Sequence, residues 1–318
     1  MAEQVVSEGR AGTGAMPRGG GSERRGRRGA RRGRVGAAAA AFGAAGLLAA
    51  AASGAGGGAG TAAAAARGPA SRGVPAALTS VHFGSPNAAA PGRAPLVGLR
   101  VRGTAQAEST NWAGYADDNS AGNTYTQVQA TWVQPAVSCN PTGQELAAFW
   151  VGLDGFNDGT VEQDGSLAYC DNGVASYYDW WEMYPANAVQ IVAPVSPGDT
   201  LSSFVVYSNG AYDLHVEDQT NPSASFTTTQ RCSSTCSNSS AEWIAERPST
   251  STGLAVLPDF GKWSVIGARV RSGGVLGVID SFPDVALTMV DTSGSTLVGV
   301  SPLNSVGGHF VATWYRSS

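Results

Sequence analysis

From about residue 107 onward the chain is written in short runs where apolar and polar side chains take turns. TYTQVQATWV (124–133) sets Tyr125, Gln127, Gln129 and Thr131 against Thr126, Val128, Ala130 and Trp132. TLSSFVVYS, YDLHVED, ASFTTTQ, KWSVIGARVRS, VALTMVD and HFVATWYRS behave alike. A period of two is what a strand with one buried face requires. Between the runs stand SPGD, TNPS, LPDFG, RSGG and DTSGS, whose Gly, Pro, Asn and Asp favour turns. No run keeps the spacing of an amphipathic helix. Many short antiparallel strands at even spacing predict one all-β domain over 107–318, a sandwich or a barrel. Roughly 210 residues are enough to give two sheets a substantial shared core.

The first 106 residues follow a different pattern. RGGGSERRGRRGARRGRV (18–35) is a long basic run, and GAAAAAFGAAGLLAAAASGAGGGAG (36–60) is apolar and grades into small residues. Basic, apolar, then small is the order of a secretory signal, so residues 1–60 are expected to direct export. A membrane anchor fits less well, because Ala and Gly dominate the run. The mature protein is therefore expected outside the cell and free of the membrane. Residues 61–106 are rich in Pro, Ala and Gly and cannot build a core of their own. From 69 to 106 they carry Arg72, His82, Arg93, Arg100 and Arg102 and no acid. They read either as a linker or as a basic propeptide lying on an acidic cleft.

Charge sharpens the division. The 318-residue chain has a formal net charge of −4, yet 14 of its 20 Lys and Arg precede residue 105, with only 3 of its 24 Asp and Glu. The remainder holds 6 basic and 21 acidic side chains, a net of −15. Such a surface excludes nucleic acid, which needs a basic patch. It suits solubility at low pH, where carboxylates are neutral and few amines remain to repel one another. Four cysteines, Cys139, Cys170, Cys232 and Cys236, all lie in the acidic part. An even count in an exported chain predicts two disulfides. Local pairing of Cys232 with Cys236 leaves Cys139 for Cys170.

Several chemistries find no support. DTSG (291–294) looks like one half of an aspartic-peptidase site, but that site needs two carboxylates and no second copy exists. A β-turn is the better reading of it. There is no G-x-S-x-G, the body holds only His215 and His309, and no metal-binding spacing occurs. No cofactor or metal is expected.

What remains is a set of aromatic strands carrying isolated acids and amides. AAFWVGLDG (147–155) brings Trp150 and Asp154, and GTVEQDGS (159–166) brings Gln163. In YYDWWEMYP (177–185) a strand turns Trp180, Glu182 and Tyr184 one way and Trp181 and Met183 the other. In AEWIAERPS (241–249) Glu242, Ile244 and Glu246 share a face, opposite Ala241, Trp243 and Ala245. Aromatics on the order of 150–250 Å² each would hold Glu182 in a partly dry cleft.

STNWAGYA, FWVGLDG with TVEQ, YYDWWEMYP, SPGD, AEWIAERPS and LPDFG stand in the order and spacing of the glutamic peptidases, the eqolisins, which this chain resembles over nearly all of 107–270. The resemblance implies a secreted, acid-active endopeptidase made as a preproprotein. It further implies a two-sheet antiparallel sandwich of the concanavalin A-like lectin and glucanase type, acting on polypeptides as a monomer. By its motifs Gln163 and Glu246 form the catalytic pair. Trp150, Asp154, Trp180, Glu182 and Tyr184 fall on cleft positions that bind substrate. The propeptide becomes an inhibitor of its own enzyme. Fungal members carry Asp four positions after the Gln, where this chain has Leu167. Chemically, an ionised Glu246 takes a proton from water while the amide of Gln163 donates to the oxyanion. Glu242, about 13 Å along the strand from Glu246, is expected at the cleft rim. A carbohydrate-active or carbohydrate-binding sandwich is the alternative, since aromatics and acids also suit sugars. A retaining glycosidase would need two carboxylates about 5 Å apart.

Overall fold

A computed structural model of the protein describes residues 81–83, 98–101, 104–232 and 236–317, with backbone alone over 98–101. The export segment and Arg72, Arg93 and Arg102 lie outside the described residues. The strands in chain order begin with β1 (Gly98–Val101), β2 (Thr104–Ser109), β3 (Trp112–Asp117), β4 (Tyr125–Val133), β5 (Gln144–Leu153) and β6 (Val161–Asp171). Next come β7 (Val174–Tyr184), β8 (Val189–Ile191), β9 (Thr200–Ser208), β10 (Ala211–Asp218), β11 (Phe226–Gln230), β12 (Ala241–Glu246) and β13 (Ser249–Thr250). The remainder are β14 (Gly253–Leu254), β15 (Lys262–Ser272), β16 (Val275–Gly277), β17 (Asp284–Val290), β18 (Thr296–Val300) and β19 (Phe310–Trp314). Helix among the described residues is limited to two single 3-10 turns, Pro222–Ala224 and Ile279–Ser281.

The front layer runs β1-β2-β17-β3-β12-β5-β6-β7-β8. All its neighbours are antiparallel except β2 and β17, which are parallel. The back layer runs β16-β15-β4-β9-β10-β11. β18 and β19 extend the front layer from β17, and β15 belongs to both layers. Lys262–Val265 pair with β19, and Ile266–Ser272 pair with β4, so one long strand closes the sandwich along an edge.

Between the layers Phe149, Val151, Trp243 and Ala245 of the front meet Val128, Trp132, Val205, Leu214 and Trp263. A second apolar cluster covers the outer face of the front layer, with Trp112, Trp150, Trp180, Ile244 and Leu167. β5, β6 and β12 are thus buried on both sides, which explains why FWVGL shows no alternation. Both predicted disulfides are present, Cys139–Cys170 and Cys232–Cys236.

The sheet also takes in Thr104–Ser109, on both sides of the division expected between 106 and 107, with Ala105 and Ala107 buried against the outer-face cluster. One expectation needs correction. Tyr125 does not lie with Gln127 and Gln129. A register shift between Arg271 and Ser272 turns it into the core, where it is fully buried.

Candidate active site

Five front strands in register lay out a grid on the outer face. One row reads Trp112, Glu246, Ala148, Leu167 and Tyr178 across β3, β12, β5, β6 and β7. The next reads Gly114, Ile244, Trp150, Gly165 and Trp180, and the third Ala116, Glu242, Gly152, Gln163 and Glu182. The two-residue period and the pairing register therefore bring Trp150, Gln163, Trp180, Glu182 and Glu246 to one face.

Gln163 and Glu182 are direct cross-strand neighbours, and Gln163 Nε2 donates to Glu182 Oε2 at 2.8 Å. Glu182 is fully buried. Burial, and then the charge of Glu246, hold its carboxyl well above the usual range. Glu246 sits diagonally across the grid. Trp150 Nε1 donates to its Oε2 at 2.8 Å, and Asn111 Nδ2 to its Oε1 at 3.4 Å. Asn111 is itself fixed by Ser109, whose hydroxyl donates to Asn111 Oδ1 at 3.0 Å. The indole of Trp150 is wedged edge-on against Trp112, with ring centroids 5.0 Å apart. Room for it comes from Gly152, where a Cβ would lie 2.9 Å from the Trp150 ring and 3.1 Å from Gln163 Cβ.

A short extended segment occupies this face. His82 N donates to Ser249 O at 3.0 Å and Ser249 N returns a bond to His82 O at 2.9 Å, an antiparallel bridge to β13. Phe83 N donates to Glu182 Oε2 at 3.1 Å, and Phe83 O accepts from Gln163 Nε2 at 2.6 Å. Because both partners of Nε2 are acceptors, the Gln163 amide is oriented with its NH₂ towards them, leaving Oε1 without a protein partner among the described residues. His82 Nδ1 lies 3.6 Å from Glu182 Oε1, and its ring meets Tyr184 edge-on at 6.4 Å.

Two predicted residues lie elsewhere than expected. Asp154 is buried, and its carboxylate accepts from the backbone N–H groups of Ser237 (3.0 Å), Asn238 (2.8 Å) and Ser239 (2.5 Å). It shapes the loop entering β12 rather than the cleft surface. Glu242 is no rim residue: it is fully buried, and desolvation, only partly offset by Ser240, holds its carboxyl well above the usual range. The strand period fixes which face a side chain takes, not how deeply the neighbouring loops cover it. Asn111 was missed as a site residue, although it sits inside the STNWAGYA motif; only its contact with a residue 135 positions away reveals it. The DTSG stretch is a turn, with Asp291 Oδ1 accepting from the N–H groups of Ser293 (2.8 Å) and Ser295 (2.9 Å).

The Peptidase A4 family model matches residues 110–305. Aspergillopepsin-2 of Aspergillus niger is 28% identical over 199 residues, which is 55% of this chain and 70% of that protein. Among solved structures, scytalido-glutamic peptidase with a transition state analog inhibitor superposes with a TM-score of 0.55 at 19% identity, over 65% of this chain and 98% of its own. SCP-B, a member of the eqolisin family of peptidases in a complex with the tripeptide Ala-Ile-His, gives 0.52 at 19% identity with the same coverage. At such identities the superpositions speak to the fold. The family match spans most of the sandwich, including every strand of the grid, and sets the carbohydrate reading aside. The chain belongs to the peptidase A4 family and is a hydrolase of peptide bonds.

Proposed function

We propose that the protein is a secreted, acid-active endopeptidase in which Gln163 and Glu246 activate water against a peptide carbonyl. The observation that carries this reading is the hydrogen bond from Gln163 Nε2 to the backbone carbonyl of Phe83, on the sheet face that also bears Glu246. In the reaction Glu246 takes the water proton and later passes it to the leaving nitrogen. The Gln163 amide stabilises the oxyanion, and its free Oε1 supplies an acceptor for the water. Buried and protonated, Glu182 keeps a negative charge away from the oxyanion. Two disulfides agree with an oxidising compartment.

Val81–Phe83 belong to the segment preceding the sandwich, so that segment serves as the inhibitory propeptide. The test is digestion of a denatured protein between pH 2 and pH 7 in the presence of pepstatin. Wild type is expected to cleave in acid, and Glu246→Gln to lose on the order of 10²–10⁴-fold in rate with its fold unchanged. Full activity in a folded Glu246→Gln would move the base to another residue. The synthetic 69–106 peptide, added in trans, is expected to inhibit; no inhibition at any pH returns the segment to a linker.

A further inference from the structure

Thr110 and Asn111 make the step from β2 to β3, two strands that have β17 between them in the layer. Ser109 ends β2, Trp112 opens β3, and one hydroxyl holds the step together. Ser109 Oγ accepts from the backbone N–H of Asn111 at 3.3 Å and from that of Trp112 at 3.1 Å. A hydroxyl has two lone pairs and one hydrogen. Both lone pairs are thus taken, and the hydrogen goes to Asn111 Oδ1 at 3.0 Å. That decides which end of the amide faces the site. With Oδ1 bound to Ser109, the NH₂ group lies towards Glu246, and Nδ2 stands 3.4 Å from Oε1. Reversed, the amide would set an oxygen against the carboxylate and its NH₂ against a hydroxyl with no lone pair left. The backbone joins the same two places, since the Asn111 carbonyl accepts from the N–H of Arg247 at 2.8 Å. Ser109, Asn111 and Glu246 are all buried, so these bonds meet little competition from water.

We infer that Asn111 is a positioning residue for Glu246, and that Ser109 enables this by fixing the direction of the Asn111 amide. The inference rests on the peptidase reading above, in which Glu246 takes the proton of water. A base has to be ionised and aimed when its water arrives. Trp150 Nε1 donates to one carboxylate oxygen and Asn111 Nδ2 to the other. An indole N–H and an amide NH₂ only donate, and neither group gains or loses a proton in mild acid. Both therefore serve the ionised carboxylate at every working pH. An aspartate at position 111 would keep the shape and lose that constancy. Protonated, it donates to Glu246; ionised, it repels it. Among the described residues, the groups of this face that titrate in acid are Glu182 on β7, Glu242 on β12 and His82 beside Glu182. Arg247 follows the base, with its side chain turned to the Ala255 carbonyl. These groups are the same in every variant compared below.

The experiment incubates the full chain in acid and then measures kcat and KM on a fluorogenic peptide from pH 2 to pH 7. Asn111→Leu keeps the bulk and removes the amide. It is expected to lose about tenfold in kcat at every pH, the low end for a hydrogen bond to a charged group, with KM nearly unchanged. Asn111→Asp should show at least that loss above about pH 5 and recover part of it below about pH 4, where its carboxyl is protonated. Ser109→Ala should lower kcat by less than Asn111→Leu, and combining the two should cost nothing further, because the hydroxyl acts through the amide. Should Asn111→Leu not fold, the shape of the Asn111→Asp profile still decides, since it does not depend on how much of the protein is folded. Profiles of wild-type shape in the Asn111 variants, with losses confined to KM or the melting temperature, make Asn111 a turn residue and overturn the inference. Wild-type kcat in a folded Asn111→Leu overturns it as well. In either case an inactive, folded Glu246→Gln leaves the peptidase reading standing. A wild-type chain that cleaves no peptide at any pH overturns the peptidase reading and this inference with it.

Discussion

At the scale of single residues, the carboxylate of Glu246 is aimed rather than merely placed. An indole N–H and an amide N–H approach different oxygens of it, so the group cannot swivel without losing one. Hydrogen bonds to a charged group are worth roughly 1.5–3 kcal/mol, which is about 10- to 100-fold in rate if they act on the transition state. Trp150→Phe keeps the ring and removes the N–H. It is expected to lower kcat by at least about tenfold, with KM nearly unchanged and the circular dichroism spectrum intact. A variant with wild-type kcat would show that the indole merely packs. Asp154 works one step further out. Its three backbone bonds set the loop 237–239 that leads into β12, the strand that carries Glu246.

At the scale of elements, the grid depends on what is absent from β5. Gly152 stands between Gln163 and Glu242 in its row, and the Trp150 ring leans over it. Gly152→Ala places a methyl against that ring and the Gln163 stem, an overpacking that typically costs about 1–3 kcal/mol. The expected outcome is a lower melting temperature together with a loss of kcat larger than that of Trp150→Phe, because both members of the proposed dyad are pushed. A normal melting curve with normal turnover would mean that the neighbours yield freely. Most of this element was legible in the sequence. The alternation of YYDWWEMY and AEWIAE names the residues that share a face, and the Gln and Glu emerge from their motifs. The positions of β12 and of the segment 81–83 were not legible, since no local pattern encodes that a strand 88 positions after Leu153 will lie beside it. Nor was Tyr125 legible, because a single bulge reverses the face of every residue beyond it. Burial of Glu242 depends on loops whose paths the alternation does not describe.

At the scale of the whole molecule, the feature that stands out is the number of carboxyls folded inside. Asp117, Glu162, Asp164, Asp179, Glu182 and Glu242 are all buried, and in each burial is the first cause holding the pKa up. Asp179 is raised to about 8 and Glu162 to about 10. A carboxyl whose pKa is raised by folding binds its proton more tightly in the native state. Its contribution to stability is complete below the unfolded value near 4. It is lost as pH rises towards the native value. The melting temperature is therefore expected to be highest in acid and to fall steadily from about pH 4 to pH 8, with Asp179→Asn making the decline shallower. A melting temperature that climbs towards neutrality would contradict this account. The same architecture has a consequence in time. β12 lies between β3 and β5, yet both of those neighbours leave the ribosome well before it. Until residue 246 has been made, the middle of the front sheet is an open slot with two bare strand edges, and the carboxylate proposed to activate water does not yet exist. A nascent chain thus lacks the base proposed here for peptide cleavage, and gains it together with the strand that fills the slot between β3 and β5.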